Sequence, residues 1–157
     1  MRIAPAIPAD TPVILEMIRG LAEYEKLGHI VTATEEQIRQ TLFGPKPAAE
    51  VLLAEWNSEW AGFALFFPVY STFLAQPGLY LEDLYVKPHA RGKGLGLALL
   101  KELAKIAVAR GCGRLEWAVL DWNEPSIDFY KKLGAAPMDE WTTWRLTGKA
   151  LEQLAVA

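Results

Sequence analysis

Residues 79–96 of this 157-residue chain read LYLEDLYVKPHARGKGLG. The stretch holds an apolar strand pattern, a short polar connection ending in Arg91, and glycines at the alternate positions Gly92, Gly94 and Gly96. A helical pattern then runs from Leu95 to Arg110, with Leu95, Leu99, Leu103 and Ile106 on one stripe. A strand that feeds a glycine-rich turn at a helix start presents several unpaired backbone N–H groups at the positive end of the helix dipole. Alternate glycines let the backbone approach a ligand closely, and Arg91 and Lys93 add positive charge. This chemistry suits a pyrophosphate. The turn is not a Walker A loop, because no Ser or Thr follows the lysine, and it lacks the G-x-G-x-x-G of a dinucleotide fold. The hexapeptide alone leaves open a nucleotide, coenzyme A, or a tight turn with glycines for steric reasons only.

Two further acids lie just before the turn. Glu82 and Asp83 are neighbours in the strand pattern, so regular alternation sends them to opposite faces of a sheet, and only one can serve a given site.

The elements that must position these groups follow from periodicity. Residues 2–6 form a short first strand or an extended arm. Asp10, Thr11 and Pro12 start a helix whose apolar positions are Val13, Ile14, Met17, Ile18, Leu21 and Ala22, ending near Leu27 and Gly28. A second helix runs from Thr34 to about Phe43, with Glu36 and Gln37 in its first turn. EVLLAEWN and EWAGFALFFPVY are strands joined at Asn57 and Ser58, with Pro68 at a strand end or bulge. YSTFLAQPG is a loop, LYLEDLYV the third strand of this meander, and GRLEWAVLD a further strand. A turn at Trp122, Asn123, Glu124, Pro125 and Ser126 opens a short helix closed by Gly134. EWTTWRL is a last strand, and the tail from Gly148 is helical. This is an α+β order around one mixed sheet, in a single domain spanning 1–157.

Composition limits the function classes. Hydrophobic residues make up 52% of the chain and charged residues 22%, which describes a globular protein. The net charge of −3 argues against nucleic acid as partner, since phosphate backbones select basic surfaces. The lone Cys112 excludes an internal disulfide and a cysteine-cluster metal site, and no metal is expected. No apolar run is long enough to span a membrane, and the N-terminus lacks a signal-peptide pattern, so a cytoplasmic location is expected. His29 and His89 are too isolated to act as ligands or bases.

Beyond the turn, YLEDLYV, RGKGLG, DWNEPSIDFYKKLGA and the early LAEYEKL together resemble the spermidine/spermine (diamine) acetyltransferase subfamily of the GNAT superfamily. R-x-x-G-x-G after a strand is that superfamily's acetyl-coenzyme A motif, and the resemblance covers almost the whole chain in order and spacing. It implies the GNAT fold, a central mixed and mostly antiparallel β-sheet flanked by helices. It implies acetyl-CoA as cosubstrate, a small-molecule primary amine as acceptor, direct attack in a ternary complex, and a homodimer. Leu84, Tyr85 and Val86 would lie along the pantetheine arm, in a strand whose bulge frees an N–H for the thioester carbonyl. Arg91, Gly92, Lys93, Gly94, Leu95 and Gly96 would hold the pyrophosphate. Asn123, Glu124, Pro125 and Ser126 would line the cofactor.

The same resemblance makes Tyr130 the catalytic acid that protonates the leaving thiolate. Glu82 is the residue that orients the amine or accepts its proton, with Asp83 left as a solvated strand-end acid. Tyr24, Glu25, Glu116, Trp117 and Ala118 match substrate contacts, a mix of carboxylate and aromatic groups suited to an alkylammonium. The chain departs from the polyamine pattern after Tyr24 and Glu25. Lys26, Gly28 and His29 stand where typical members carry acids. That favours the branch acting on thialysine-like amino acids over long polycations. Two other readings stand beside this one: acetylation of a protein N-terminus or lysine, and a coenzyme A-binding sensor without catalysis.

Overall fold

A computed structural model describes all 157 residues. The chain forms two compact units, Met1–Ala118 and Val119–Ala157. The first contains one five-stranded sheet in the order β1 (Arg2–Pro5), β2 (Glu50–Trp56), β3 (Glu59–Ser71), β4 (Gln76–Val86) and β5 (Leu115–Trp117). Strands β1 to β4 form an antiparallel meander, and β5 joins β4 in parallel. Helices α1 (Thr11–Tyr24) and α2 (Glu35–Phe43) precede the meander, and α3 (Leu95–Ala109) connects β4 to β5. This is the α+β arrangement read from the sequence.

The sheet separates two apolar layers. On one face Ile14, Leu15 and Met17 of α1 and Ile38 of α2 pack with Val51, Leu53, Phe63 and Tyr85. On the other, Leu95, Leu99 and Leu103 of α3 are buried where that helix lies on β2, β3 and β4. Tyr85 fits its layer because α1 carries a glycine opposite it: a Cβ at Gly20 would lie 2.5 Å from the Tyr85 hydroxyl oxygen and 2.7 Å from its ring.

Local chemistry explains the helix ends. Thr34 Oγ1 accepts from the Gln37 backbone N–H at 3.2 Å, and Gln37 Oε1 accepts from Thr34 N–H at 3.0 Å, a reciprocal cap. Asp10 faces backward instead. Its carboxylate accepts from Ile7 N–H at 2.8 Å and Trp60 Nε1 at 3.2 Å, tying the helix start to β3. Helix α1 stops at Tyr24, short of the expected Gly28, because Lys26 takes the left-handed conformation at φ 61°. Leu27 N–H then reaches Ala22 O at 2.7 Å and Lys26 N–H reaches Glu23 O at 3.0 Å, the paired bonds of a Schellman ending.

Four strand expectations change. The expected loop at residues 70–78 is mostly hairpin, since β3 and β4 stay paired out to Ser71 and Gln76. Pro68 lies inside β3, beyond the end of β2, where its missing N–H leaves no gap in the β2 ladder. Strand β5 is only three residues long and ends at Trp117 instead of running to Asp121. Residues 140–146 form no strand: Trp141 and Trp144 are 75% and 91% exposed, and the segment has no ladder partner.

The second unit contains α4 (Glu124–Lys132) and α5 (Gly148–Val156). Buried Asn123 caps α4, its side chain accepting from Ser126 N–H at 3.4 Å, and Gly134 at φ 88° follows the helix end. No helix of the chain is long and apolar enough to cross a membrane.

The Tyr85–Gly20 contact gives a test in which two effects oppose. Gly20→Ala gains about 1 kcal/mol of helix propensity. It also drives a methyl into a buried ring, an overpacking cost of about 1–3 kcal/mol. A net loss of stability is expected in denaturant unfolding; a gain would show that the ring yields freely.

Candidate active site

The site is organised by one extra residue in β4. Leu65 of β3 pairs with Asp83 and its neighbour Phe66 pairs with Leu81, so Glu82 is unmatched and forms a bulge. The alternation of side chains is reset there. Phe66 and Leu81 are buried toward α3, whereas Leu65 packs on the α1 layer and Asp83, its partner, shares that side. Tyr80, Glu82 and Asp83 therefore all project to the α1 face. This corrects the expectation that Glu82 and Asp83 face opposite ways, which holds only in an unbulged strand.

The electrostatics follow this placement. Burial first, then the charges of Glu82 and Glu25, push the Asp83 carboxyl up to about 6. Asp83 is thus not a solvated strand-end acid. Glu25, just past the last residue of α1, is itself raised by burial. Tyr80 is raised by burial and by the charges of Glu82 and Glu116, and its ring stacks on Phe67 at a centroid distance of 5.3 Å. Glu25, Glu82, Asp83 and Glu116 therefore share one electrostatic field. Glu116 is the most neutralised of them, held by Arg114 Nε at 2.8 Å. Four carboxylates with aromatic rings among them make a cation-binding surface.

The bulge also marks where the sheet opens. The parallel ladder of β4 and β5 ends at Leu81 opposite Trp117, one residue before Glu82. From residue 82 to residue 86, β4 pairs only with β3. Its other side faces no strand and offers main-chain groups to an extended ligand. Leu84, Tyr85 and Val86 lie in this half-paired segment. The Tyr85 side chain is committed to the core, which leaves only its backbone for a ligand.

The glycine turn completes this end. Gly92 and Gly94 hold φ of 72° and 85°, the left-handed region, and an added Cβ on Gly92 would meet no atom within 4 Å. Gly94 is the N-cap of α3 and no side chain caps that helix, in contrast to α2 and α4. Exposed glycines, an uncapped helix start and nearby Lys93 fit a pyrophosphate. The Arg91 guanidinium stacks on Tyr24 and Tyr85, at 5.1 and 5.5 Å from the ring centroids, and its Nε donates to Val86 O at 2.9 Å.

The remaining candidates lie elsewhere on the chain. Trp117 and Ala118 end and follow β5. In the second unit, Glu124, Pro125 and Ser126 form the first turn of α4 behind Asn123, and the Tyr130 ring is half-buried beside Phe129 at 5.5 Å. His89 is not isolated, because it pairs with Glu59 at the surface. Among the described residues no cluster of His, Cys, Asp and Glu could hold a metal ion. Sequence reasoning missed Tyr80, although its position two residues before Glu82 in a strand carried the signal, and it undervalued Asp83.

The raised Asp83 carboxyl makes a stability prediction with a defined sign. The folded state favours the protonated acid, so wild-type stability falls as pH rises from about 4 through about 6. Asp83→Asn has no such cost. The variant should gain on wild type by about 2–3 kcal/mol between pH 4 and pH 8 in urea titrations. A difference that stays constant with pH would contradict the burial of this charge.

Comparison with known proteins agrees with this architecture. Residues 17–135 match the Acetyltransferase (GNAT) family. The thialysine N-epsilon-acetyltransferase of Sus scrofa is 41% identical over 164 residues, covering 98% of this chain and 96% of that protein. The L-ornithine N5-acetyltransferase of Arabidopsis thaliana is 35% identical, covering 98% of this chain and 87% of its own length. Among solved structures, an integron cassette protein from V. cholerae superposes with a TM-score of 0.83 at 28% identity, covering 99% of this chain and 98% of that one. The chain belongs to the GNAT acetyltransferase family.

Proposed function

We propose that this protein transfers an acetyl group from acetyl-CoA to a primary amine of a small molecule, in one ternary complex formed by a single functional domain over residues 1–157. The observation that carries the reading is the acid face at the β4 bulge, set beside a strand edge and a helix start that both lack partners. The family match, residues 17–135, extends past Ala118 into the second unit. When bound, acetyl-CoA supplies an activated thioester. Residues 82–86 offer backbone groups to its amide arm, and Gly92, Lys93, Gly94, Leu95 and Gly96 offer N–H groups and charge to its pyrophosphate. Asn123, Glu124, Pro125 and Ser126 are assigned to the same ligand through their motif.

An ammonium cannot attack a carbonyl, so the acceptor must lose a proton. Asp83, held near 6, and Glu82 beside it form the accepting pair. Burial first, then the charges of Glu82 and Glu25, raise the proton affinity of Asp83 in the free protein. Glu25 and Glu116 add charge, and Tyr24, Tyr80 and Trp117 add aromatic surface. Tyr130 Oη holds the proton required by a departing thiolate.

The acceptor is best described as an amino acid with a side-chain amine. Lys26 follows Glu25 directly, and Arg91 stacks on Tyr24, so the acid face is bordered by two cations. A substrate with its own carboxylate suits that border better than a long polycation does. Proteins named for thialysine and ornithine are 35–41% identical over 98% of this chain, and a spermidine/spermine N(1)-acetyltransferase-like protein is 32% identical over 92% of it. Exposed Trp141 and Trp144 favour a homodimer, since large aromatic rings in water mark contact surfaces.

Thiol release with thialysine, L-ornithine, putrescine, spermidine and a lysine peptide tests the reading. The amino acids should exceed the polyamines by about tenfold in kcat/KM, the worth of one charged contact. Silence with every amine while coenzyme A still binds would leave a sensor. Peptide preference would select the protein-modifying alternative. Tyr130→Phe should lower kcat by about 100-fold with coenzyme A affinity nearly intact. The rise of kcat/KM through about pH 6 should be lost in Asp83→Asn.

A further inference from the structure

The ion pair at the start of β5 is only half closed. Arg114 Nε meets Glu116 Oε1 at 2.8 Å, while the terminal guanidinium nitrogens Nη1 and Nη2 and the carboxylate oxygen Oε2 have no protein partner. The two side chains are 44% and 38% exposed, so a ligand can reach both. A guanidinium with its terminal donors unused is a planar fork suited to a carboxylate.

The backbone fixes where this pair stands. Leu79 N–H donates to Arg114 O at 3.1 Å, which extends the β4–β5 ladder back by one residue. An added Cβ on Gly78 would lie 3.4 Å from Arg114 Cγ, so the missing side chain at 78 leaves room for the arginine stem. Glu116 pairs in register with Tyr80, and Tyr80 with Phe67, whose ring stacks on it. The charges of Glu82 and Glu116 both act on the Tyr80 phenol, so both acids lie near that ring.

We propose that Arg114 and Glu116 form a subsite for the α-amino-acid head group of the acceptor, Arg114 taking its carboxylate and Glu116 its α-ammonium. The inference rests on the reading that the acid face accepts a side-chain amine, and it names what holds the other end of that substrate. Opposite charges at a fixed spacing match a zwitterion, with the free Nη donors and Oε2 as the contacting atoms. A diamine brings only cations and meets Arg114 as a repulsive neighbour. Glu82 lies two residues beyond Tyr80 along β4, a separation of roughly 7 Å. The side chain of ornithine, lysine or thialysine bridges that span over the Tyr80 ring and brings its terminal amine to the bulge. Arg91 is already committed to Tyr24, Tyr85 and Val86 O, which leaves Arg114 as the anchor for the carboxylate.

The test pairs each amino acid with the diamine that lacks only its carboxylate: L-ornithine with putrescine, and L-lysine with cadaverine. Coenzyme A release gives kcat and KM, and calorimetry gives amine affinity in the presence of saturating coenzyme A. Wild type should favour the amino acid of each pair by about tenfold. Arg114→Gln should raise the KM of both amino acids about tenfold, with kcat changed less than about threefold. The same variant should lower the KM of both diamines, because Glu116 then meets a second ammonium with no guanidinium beside it. Arg114→Lys keeps the charge and should restore most of the preference. L-Ornithinamide keeps the amines and loses the anion, so it should bind Arg114→Gln no more weakly than wild type. An equal change in both members of a pair would reduce Arg114 to a support for Glu116 and overturn the proposal. Wild type that favours the diamines, an Arg114→Gln variant that keeps the wild-type preference, or an Arg114→Lys variant indistinguishable from it would overturn the proposal as well. Wild type that binds the amino acids without turnover refutes the catalytic reading alone, and the calorimetric affinities of Arg114→Gln for the two pairs then decide the subsite. Wild type that binds none of these amines refutes both.

Discussion

One unmatched residue in β4 sets the character of this protein. A strand in regular register sends successive side chains to opposite faces, and a single bulge breaks that rule locally. Here it brings Glu82 and Asp83 to one side, next to the end of α1. The same position ends the parallel ladder with β5. Charge concentration and sheet opening are thus two results of one register change. The acids and the unpaired strand edge therefore lie side by side.

Forcing carboxylates together in a partly buried site costs stability, and the core must supply the difference. It does so from both faces, through the α1–α2 layer and the α3 stripe. The acids sit at the margin of the first layer, where burial is sufficient to raise Asp83 but solvent still reaches Glu82. Such strain is common where function requires a proton acceptor tuned toward neutrality.

Much of this was legible in the sequence because it is locally encoded. The Thr34–Gln37 cap, the Asn123 cap, the α3 stripe and the glycine turn each depend on residues within a few positions of one another. The bulge was expected, but its effect on Asp83 was not, because alternation counted along one strand cannot reveal which residue its neighbour leaves unmatched. The end of β5 at Trp117 and the unformed strand at residues 140–146 failed for a related reason. EWTTWRL has strand composition, yet a strand exists only where another supplies its hydrogen bonds, and that is a non-local fact. Lys26 in a left-handed turn was equally hidden, since glycine is the residue that advertises such a conformation and Gly28 stood close by.

The half-paired segment of β4 has a consequence for how the chain lives in a crowded solution. An unpaired strand edge is a template for other chains and a route to aggregation. Here Glu82 and Asp83 precede the apolar run Leu84, Tyr85 and Val86, and Lys87 follows it, bound to Glu16 at 2.9 Å. A foreign strand docking at this edge would have to desolvate charge at both ends. A ligand that brings its own amides and phosphates would meet the same groups as partners. The edge is therefore guarded by solvation: charge at both ends disfavours pairing with another polypeptide strand.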